Sequence, residues 1–346
     1  MSPSHRQLVE AVQYNCNISD ARYAGNYTMC VYLLKMREYF RWEMEQDFNS
    51  SLTKDDVGRW LVEREQLWSD IEDSEYAHIH INGENHDPFD SDQINRKLIN
   101  HGLVYSAGIG VKSKPHFFLG DLVRHDSLNG YNIFISSREY ARDLTSPPAM
   151  SQNQTIYIRR ESFKRMLWEK IETWRWSKPE NAMARAIACY DFDDALDQSL
   201  ENMTDNELES AILHEIGEIK AGEHLQGWQE MMSQIMFTQA EIMARAVRDH
   251  LADALSTLPA LLEQQNDASI HFYMANLTNM RRHIFPSLME AYQDWENSND
   301  VSALRELVAK SKTHWLQLSQ QILALFNQYG DNSHEHIEQL VNNNTL

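Results

Sequence analysis

Side chains suited to metal binding and acid–base chemistry are concentrated in residues 204–225 of the chain. His214 and Glu218 are four residues apart, a spacing that places them on neighbouring turns of one helix face. Glu215 lies between them in sequence. The surrounding apolar residues recur at the spacing of an α-helix. One histidine and two carboxylates held on a single helix predict a metal site or an acid–base site.

The run His214-Glu215-x-x-Glu218, an HExxE motif, resembles the H-E-x-x-H zinc motif over these few residues. In that motif two histidines one turn apart bind zinc, and the glutamate beside the first of them is the general base. The resemblance implies that His214 and Glu218 are ligands and that Glu215 is the catalytic base. Glu218 stands where the zinc motif has its second histidine. The alternative interpretation is an exposed helix face rich in charge.

A second pair of polar residues lies on the next predicted helix, over residues 227–257. A rotation of about 100° per residue places His250 and Asp253 in the apolar stripe of that helix, where burial without partners is costly. Helices that are neighbours in sequence tend to pack antiparallel, which would bring both residues near Glu215 and Glu218. This arrangement is similar to carboxylate-bridged metal sites in helical bundles, and its oxygen and nitrogen ligands suit zinc, iron or manganese. The alternative is a structural polar network in which His250 and Asp253 bond each other, Arg245 or Arg248, or a tyrosine.

The chain as a whole predicts an α+β fold that is predominantly an α-helical bundle. One β-rich stretch, around residues 103–136, predicts a small antiparallel β-meander between helices. Polar residues and a Pro-Pro pair at 146–155 predict a boundary. The boundary separates an N-terminal helical region with the β-meander, residues 1–150, from a C-terminal helical bundle, residues 151–346, that carries the candidate site.

Two of the predicted helices have features that bear on the site. Residues 15–47 are apolar on two opposite sides, which predicts one long buried helix. Glu38 projects from this helix, either as part of an internal ion pair or as a further ligand. Thr204 with Glu207 three residues later matches a capping box, so the helix that carries His214 is predicted to begin there.

The composition limits the kinds of partner and the compartment. The chain has 346 residues and a formal net charge of −20, which argues against a nucleic-acid partner because such binding starts from clustered Lys and Arg. No apolar run approaches the roughly 18 residues of a membrane-spanning helix, so no membrane partner is expected. The three cysteines and an N-terminus without a basic and apolar leader indicate the cytoplasm.

Two functions from different classes are consistent with these patterns. The first is a metal-dependent enzyme, either a hydrolase or a di-metal oxidase, whose site lies between the helices at 205–225 and 227–257. Its catalytic residue would be Glu215 and its metal ligands would be His214, Glu218, His250 and Asp253. The second is a non-enzymatic helical scaffold or binding module in which the same cluster is a structural polar network. Whether the substrate is a small molecule or a peptide, and whether the chain forms a homo-oligomer, stay open.

Overall fold

The computed structural model is mostly helical, with 65% of it in helices. It describes residues 3–48, 50–110, 114–128 and 130–346. The chain divides into two compact units, unit 1 over Met1–Trp168 and unit 2 over Glu169–Leu346. All of the described strands lie in unit 1, whereas unit 2 is helical. The α+β class predicted from the sequence is therefore confirmed.

Unit 1 combines a sheet, a short hairpin and several helices. Its helices are α1 (Pro3–Tyr23), α2 (Met29–Glu43), α3 (Lys54–Ile71), α4 (Ser91–Leu98) and α5 (Arg160–Arg175), within which the division between the units falls. Its strands are β1 (Ile79–Ile81), β2 (Glu84–His86), β3 (Leu103–Ile109), β4 (Pro115–Leu128), β5 (Tyr131–Arg142), β6 (Ala149–Gln152) and β7 (Thr155–Arg159). The predicted single helix over residues 15–47 is wrong, because a 3₁₀ turn at Ala24–Asn26 separates α1 from α2.

The main sheet of unit 1 is larger than the predicted meander. The strand order is β3-β4-β5-β7-β6, in which β3, β4 and β5 pair antiparallel as predicted and β7 pairs parallel with β5. Shifts of register in β4 on either side of Gly120 bend the sheet. A Cβ atom at Gly120 would lie 2.6 Å from the carbonyl oxygen of Arg138, so the bend requires glycine there.

The predicted boundary at 146–155 lies inside this sheet, because β5, which ends before residue 146, pairs with β7, which begins at Thr155, and β6 lies within the predicted boundary. Pro147 and Pro148 immediately precede β6, which is an edge strand. Proline lacks an N–H group, so it is tolerated beside a sheet edge as well as in a linker, and the sequence does not distinguish the two. Residues 111–113 and 129, which fall within the stretch predicted as the meander, lie outside the described residues.

Among the apolar clusters of unit 1, two join its helices to the rest of the unit. Helix α1 packs on the sheet through Val12 and Cys16, which are fully buried in one cluster with Phe117. Helices α2 and α3 form a second cluster, in which Tyr39 contacts the ring of Trp60 edge to face at 5.8 Å. The two apolar faces of the predicted buried helix therefore differ from each other, since only part of α2 is enclosed by the rest of unit 1.

Unit 2 is a succession of helices of very different length. They are α6 (Ala182–Ala188), α7 (Leu196–His224), α8 (Trp228–Gln234), α9 (Gln239–Ala252), α10 (Leu258–Gln264), α11 (Asp267–Asn276), α12 (Asn279–Ile284), α13 (Pro286–Ser298), α14 (Ser302–Tyr329) and α15 (His334–Asn342). Asp253–Thr257, between α9 and α10, form a π-helical turn. Several of the helices are shorter than the long antiparallel helices of a bundle, so a clear helical bundle is not present.

The core of unit 2 surrounds the fully buried Trp315 of α14. The helix predicted over 227–257 is interrupted, because Phe237 has a φ of +66° and Thr238 caps the start of α9. Of the described helices, none combines the length and the apolar character that a membrane crossing requires.

Candidate functional site

Helix α7 carries the HExxE motif, and it begins earlier than the sequence indicates. The first residue of α7 is Leu196, so Thr204 lies inside the helix and its hydroxyl donates to the carbonyl oxygen of Leu200 at 2.6 Å. Glu207 does not reach back to Thr204. It is buried, and it accepts a hydrogen bond from the hydroxyl of Ser269 at 2.9 Å. The predicted capping box is therefore wrong. Glu207 bonds Ser269, which is distant in the sequence, instead of the backbone near Thr204.

Helix α7 approaches the end of α9 so closely that their backbones touch at Gly217. A Cβ atom at this position would lie 2.2 Å from the carbonyl oxygen of Ala252. No side chain fits between the two backbones, and any residue other than glycine would force the helices apart. The close approach brings His214, one turn before Gly217, against Asp253, the residue after Ala252.

Asp253 is the centre of the site, and each of its oxygens accepts a hydrogen bond. His214 Nδ1 donates to Oδ1 at 2.8 Å, and the hydroxyl of Tyr273 donates to Oδ2 at 3.0 Å. The guanidinium of Arg281 also donates to Oδ2, through Nη2. The same nitrogen lies 2.8 Å from the oxygen of Tyr273. Asp253 is only 1% exposed, so its charge depends on these donors rather than on water.

The charges in this cluster stabilise one another. Burial alone would raise the pKa of Asp253, but Arg281 and His214 outweigh it and hold that pKa well below its usual range. Burial alone would lower the pKa of His214, whereas the Asp253 carboxylate raises it to about 10. At neutral pH the site therefore contains an ionised aspartate between a protonated histidine and an arginine.

His250 belongs to the same region but has a different role. Its Nε2 donates to the carbonyl oxygen of Arg281 at 2.9 Å, and its Nδ1 lies 3.4 Å from the guanidinium of that arginine. The ring stacks on Trp315 with 5.0 Å between centroids, and it meets Phe285 edge to face. Burial, followed by the charge of Arg281, lowers the pKa of His250 to about 3, so the ring is neutral.

Glu218 faces another arginine. Its Oε2 accepts from Arg248 Nη1, and Arg248 Nη2 donates to the Glu218 carbonyl oxygen at 3.3 Å. Its other oxygen, Oε1, is buried and has no hydrogen-bond partner among the described residues. Burial raises the pKa of Glu218 despite the arginine, and burial likewise raises the pKa of the neighbouring Asp249.

The structure thus brings two of the four predicted ligands, His214 and Asp253, into direct contact. His250 is turned toward Arg281, and Glu218 toward Arg248. Glu215, the predicted catalytic residue, is half-buried, and its charge adds only a minor contribution to the raised pKa of His214. Within the described ranges, no three His, Cys, Asp or Glu side chains are arranged so that they could hold a metal ion.

Two residues of this site, Tyr273 and Arg281, are missing from the sequence prediction. Both lie at least 20 residues beyond Asp253 in the chain, on helices α11 and α12. A chemical argument could have pointed to Arg281. A buried aspartate requires a cation, and Arg281-Arg282 is one of the few basic pairs in an acidic chain.

Unit 1 contains a second buried polar cluster that the sequence prediction does not include. Lys114 Nζ donates to Asp20 Oδ1 at 2.8 Å, and His116 Nδ1 donates to Asp143 Oδ2 at 3.0 Å. Burial raises the pKa of Asp20 to about 6, although Lys114 opposes the shift. Asp143, in contrast, is held well below its usual pKa by His116 and Lys114 against the effect of burial. Since Asp20 lies on α1 and Asp143 follows β5, the cluster ties this helix to the sheet.

Glu139 on β5 organises the neighbouring part of unit 1. Its Oε2 accepts from Arg159 Nη2 at 2.7 Å, and its Oε1 accepts from the backbone N–H of Ser162 at 3.0 Å. Arg142 lies 3.8 Å from the same carboxylate. All four residues are at most 5% exposed. The carboxylate therefore links β5, β7 and the start of α5 through contacts that water cannot replace.

Comparison with known families gives two matches that together cover both units. Residues 7–159 match the model of the N-terminal domain, and residues 164–344 that of the C-terminal domain, of a family of unknown function, DUF6866. No curated protein and no solved structure matches the chain.

Proposed function

Because the chain belongs to the family of unknown function DUF6866, we propose a function from its geometry: a non-enzymatic binding protein in which the His/Glu/Asp cluster of unit 2 is structural. Asp253 carries this proposal. Its two oxygens accept from His214, Tyr273 and Arg281. A metal ion would need the same lone pairs, and the Arg281 guanidinium already supplies the positive charge that a buried carboxylate requires.

The surroundings of His250 support the same proposal. A neutral histidine whose ring stacks on Trp315 and whose Nε2–H is bonded to a backbone carbonyl behaves as a packed core residue. Ligand histidines also bond backbone carbonyls, but they present the other nitrogen to the metal. In His250 that nitrogen faces Arg281. A cation approaching it would meet a like charge, which disfavours metal binding there.

The metal content of the purified protein tests this proposal. Protein prepared without added metal is expected to contain far less than one equivalent of zinc, iron or manganese per chain, by plasma mass spectrometry. His214→Ala and His250→Ala are expected to leave that content unchanged, because neither side chain binds metal. One tightly held equivalent in the wild type that either substitution removes would contradict the structural role of the cluster.

The pH dependence of stability is a further expected result. His214 has a folded pKa of about 10 against about 6.5 in an unfolded chain. The folded state therefore holds the proton more tightly, so the stabilisation is complete below the unfolded value and is lost as pH rises through the folded one. Urea unfolding of the wild type and of His214→Gln should differ most near pH 6 and converge toward about pH 10. A difference that grows with pH would contradict the ion pair.

A metal-dependent enzyme, either a hydrolase or a di-metal oxidase, is the second candidate function. The unpartnered Glu218 Oε1 favours it, because a buried carboxylate oxygen without a donor is an available ligand for zinc, iron or manganese. Glu215 would then be the base that takes a proton from metal-bound water. If this candidate is correct, zinc or manganese should raise the melting temperature of the wild type, and Glu218→Gln should abolish that shift. Glu209→Gln, an exposed position on the same helix, is the matched control and should retain it.

A further inference from the structure

Arg142 of β5 is buried without a close partner for its charge. It is 3% exposed, and its Nε and Nη1 atoms have no hydrogen-bond partner in the parts of the chain that the structure describes. Its guanidinium lies over the rings of Trp42, at 5.3 Å, and Tyr39, at 5.9 Å. The Glu139 carboxylate is 3.8 Å away, beyond hydrogen-bond distance. Buried charged donors that lack an acceptor cost free energy, which an anionic ligand would recover.

Two further arginines beside Arg142 also have an unused donor. The Nε atoms of Arg159 and Arg165 are buried and have no acceptor over the described ranges. Arg159 Nη2 and Arg142 Nη1 lie 2.7 and 3.8 Å from the same Glu139 oxygen, so these two groups are neighbours. Burial, opposed by Glu139 and reinforced by the charges of Arg165 and Arg159, lowers the pKa of Arg142. We call Arg142, Arg159 and Arg165 the arginine cluster.

Glu161, in the first turn of α5, is a loosely held carboxylate beside this cluster. Its Oε2 accepts from the backbone N–H of Glu139 at 2.7 Å. Its Oε1 lies 3.8 Å from Arg165 Nη2, too far for a hydrogen bond. Burial, followed by the charge of Glu139, raises the pKa of Glu161. The side chain is 30% exposed, so it can rotate into the solvent and free the space that its carboxylate fills.

The balance of charge indicates which anion fits that space. Glu139 stays paired with Arg159, and Glu38 is shared between Arg41 and Arg165. Once the exposed carboxylate has moved out, four guanidinium groups face these two carboxylates, which leaves two positive charges in excess. A phosphate group carries a charge of about −1.5 to −2 at pH 7, and guanidinium groups match its oxygens in geometry. A carboxylate ligand would neutralise only one of the two charges.

We propose that the arginine cluster is a binding site for a phosphate group, which takes the place of the Glu161 carboxylate. The phosphate oxygens accept from the unused N–H groups of the cluster and from the backbone N–H of Glu139. Glu161 competes with this ligand when the site is free. The inference rests on the binding function proposed above and gives it a ligand class. It does not involve the cluster around Asp253, so phosphate binding and the metal content of the protein are independent tests.

Calorimetric titration of the full chain with inorganic phosphate tests the proposal. Arg142→Met should weaken phosphate binding about tenfold or more, the effect of losing a charge-assisted hydrogen bond. Glu161→Ala should strengthen it by up to about fivefold, because the competing carboxylate is removed. Arg59→Met removes an exposed arginine of α3 in the same unit. It is the matched control and should bind phosphate as the wild type does.

Urea unfolding separates a binding role of Arg142 from a structural one. Without phosphate, Arg142→Met should leave the unfolding midpoint unchanged or raise it, because methionine packs against Trp42 and Tyr39 without unpaired donors. Phosphate should raise the midpoint of the wild type but not that of the variant. A midpoint that Arg142→Met lowers equally with and without phosphate would show that Arg142 is structural, and the proposal would be wrong.

Phenyl phosphate and acetate complete the test. Phenyl phosphate that binds more tightly than inorganic phosphate identifies the phosphate group of a larger molecule as the ligand, and the reverse order identifies free phosphate. Acetate should bind more weakly than both, because it carries a single charge. Glu161→Ala keeps the test decisive if Arg142→Met does not fold, since Glu161 is partly exposed. The proposal is overturned if neither the wild type nor Glu161→Ala binds phosphate saturably, or if acetate binds equally well.

Discussion

Replacing Asp253 with alanine is expected to lower the free energy of unfolding by about 3–5 kcal/mol, the range for removing one partner of a buried ion pair. The substitution leaves the Arg281 guanidinium buried without its carboxylate, and it removes the acceptor of both His214 and Tyr273. Urea unfolding followed by circular dichroism at neutral pH measures the loss.

Two further substitutions are the comparisons for Asp253→Ala. Asp294→Ala removes an exposed carboxylate from α13 in the same unit and should change stability by no more than about 0.5 kcal/mol. Asp253→Asn retains the shape but not the charge, so it should fall between alanine and the wild type. If Asp253→Ala costs no more than Asp294→Ala, the cluster does not stabilise the protein and its structural role is refuted.

Glu139→Ala is expected to cause a loss of similar size in unit 1, about 3–5 kcal/mol. Glu139 accepts from Arg159 and from the backbone N–H of Ser162, and Arg142 is its neighbour. Without the carboxylate, the buried guanidinium groups of Arg159 and Arg142 would lie close together with less negative charge to neutralise them. Burial already lowers the pKa of Arg142, and its Nε and Nη1 atoms have no hydrogen-bond partner among the described residues.

The control for Glu139 is Glu63→Ala, an exposed carboxylate of α3 in the same unit. It should be nearly neutral, within about 0.5 kcal/mol. Glu139→Gln is informative as well, because an amide can still accept from Ser162 but does not neutralise Arg159. We expect it to recover only part of the stability. Full recovery would mean that hydrogen bonding, and not charge, is what Glu139 contributes.

The sequence predicted that the helices at 205–225 and 227–257 bring His250 and Asp253 near Glu215 and Glu218. The structure instead pairs Asp253 with His214 and turns Glu218 toward Arg248, and α8 lies between α7 and α9 in the chain. The sequence could not identify Arg281 as the cation, because its position depends on where α12 folds back, which no local pattern encodes. It could not exclude the capping box of Thr204 and Glu207 either, since Glu207 is buried against Ser269 of a distant helix.

The exposed start of α2 shows another limit of periodicity. Apolar residues on two sides of a helix predict burial, and that expectation fails for Met29 and Leu34. The turn at Ala24–Asn26 redirects the chain, and the side of α2 that carries Met29 and Leu34 is exposed, although Tyr32 between them donates to Glu65 of α3. The buried charges of unit 1 were missed for a related reason. Glu139 and Arg142 lie on a strand, where sequence alone does not show which face is enclosed.

The π-helical turn at Asp253–Thr257 has a consequence for which changes the chain can tolerate. Such a turn takes up one residue more than an α-helical turn. Deleting one of residues 254–257 would restore the ordinary pitch, and the carbonyl oxygen of Asp253, which now accepts from the N–H of the residue five positions later, would pair with the residue four positions later instead. The backbone that positions the Asp253 carboxylate between His214 and Arg281 would therefore change. The turn is therefore more sensitive to insertions and deletions than to most substitutions, and the length of this segment is the property on which the geometry of unit 2 depends.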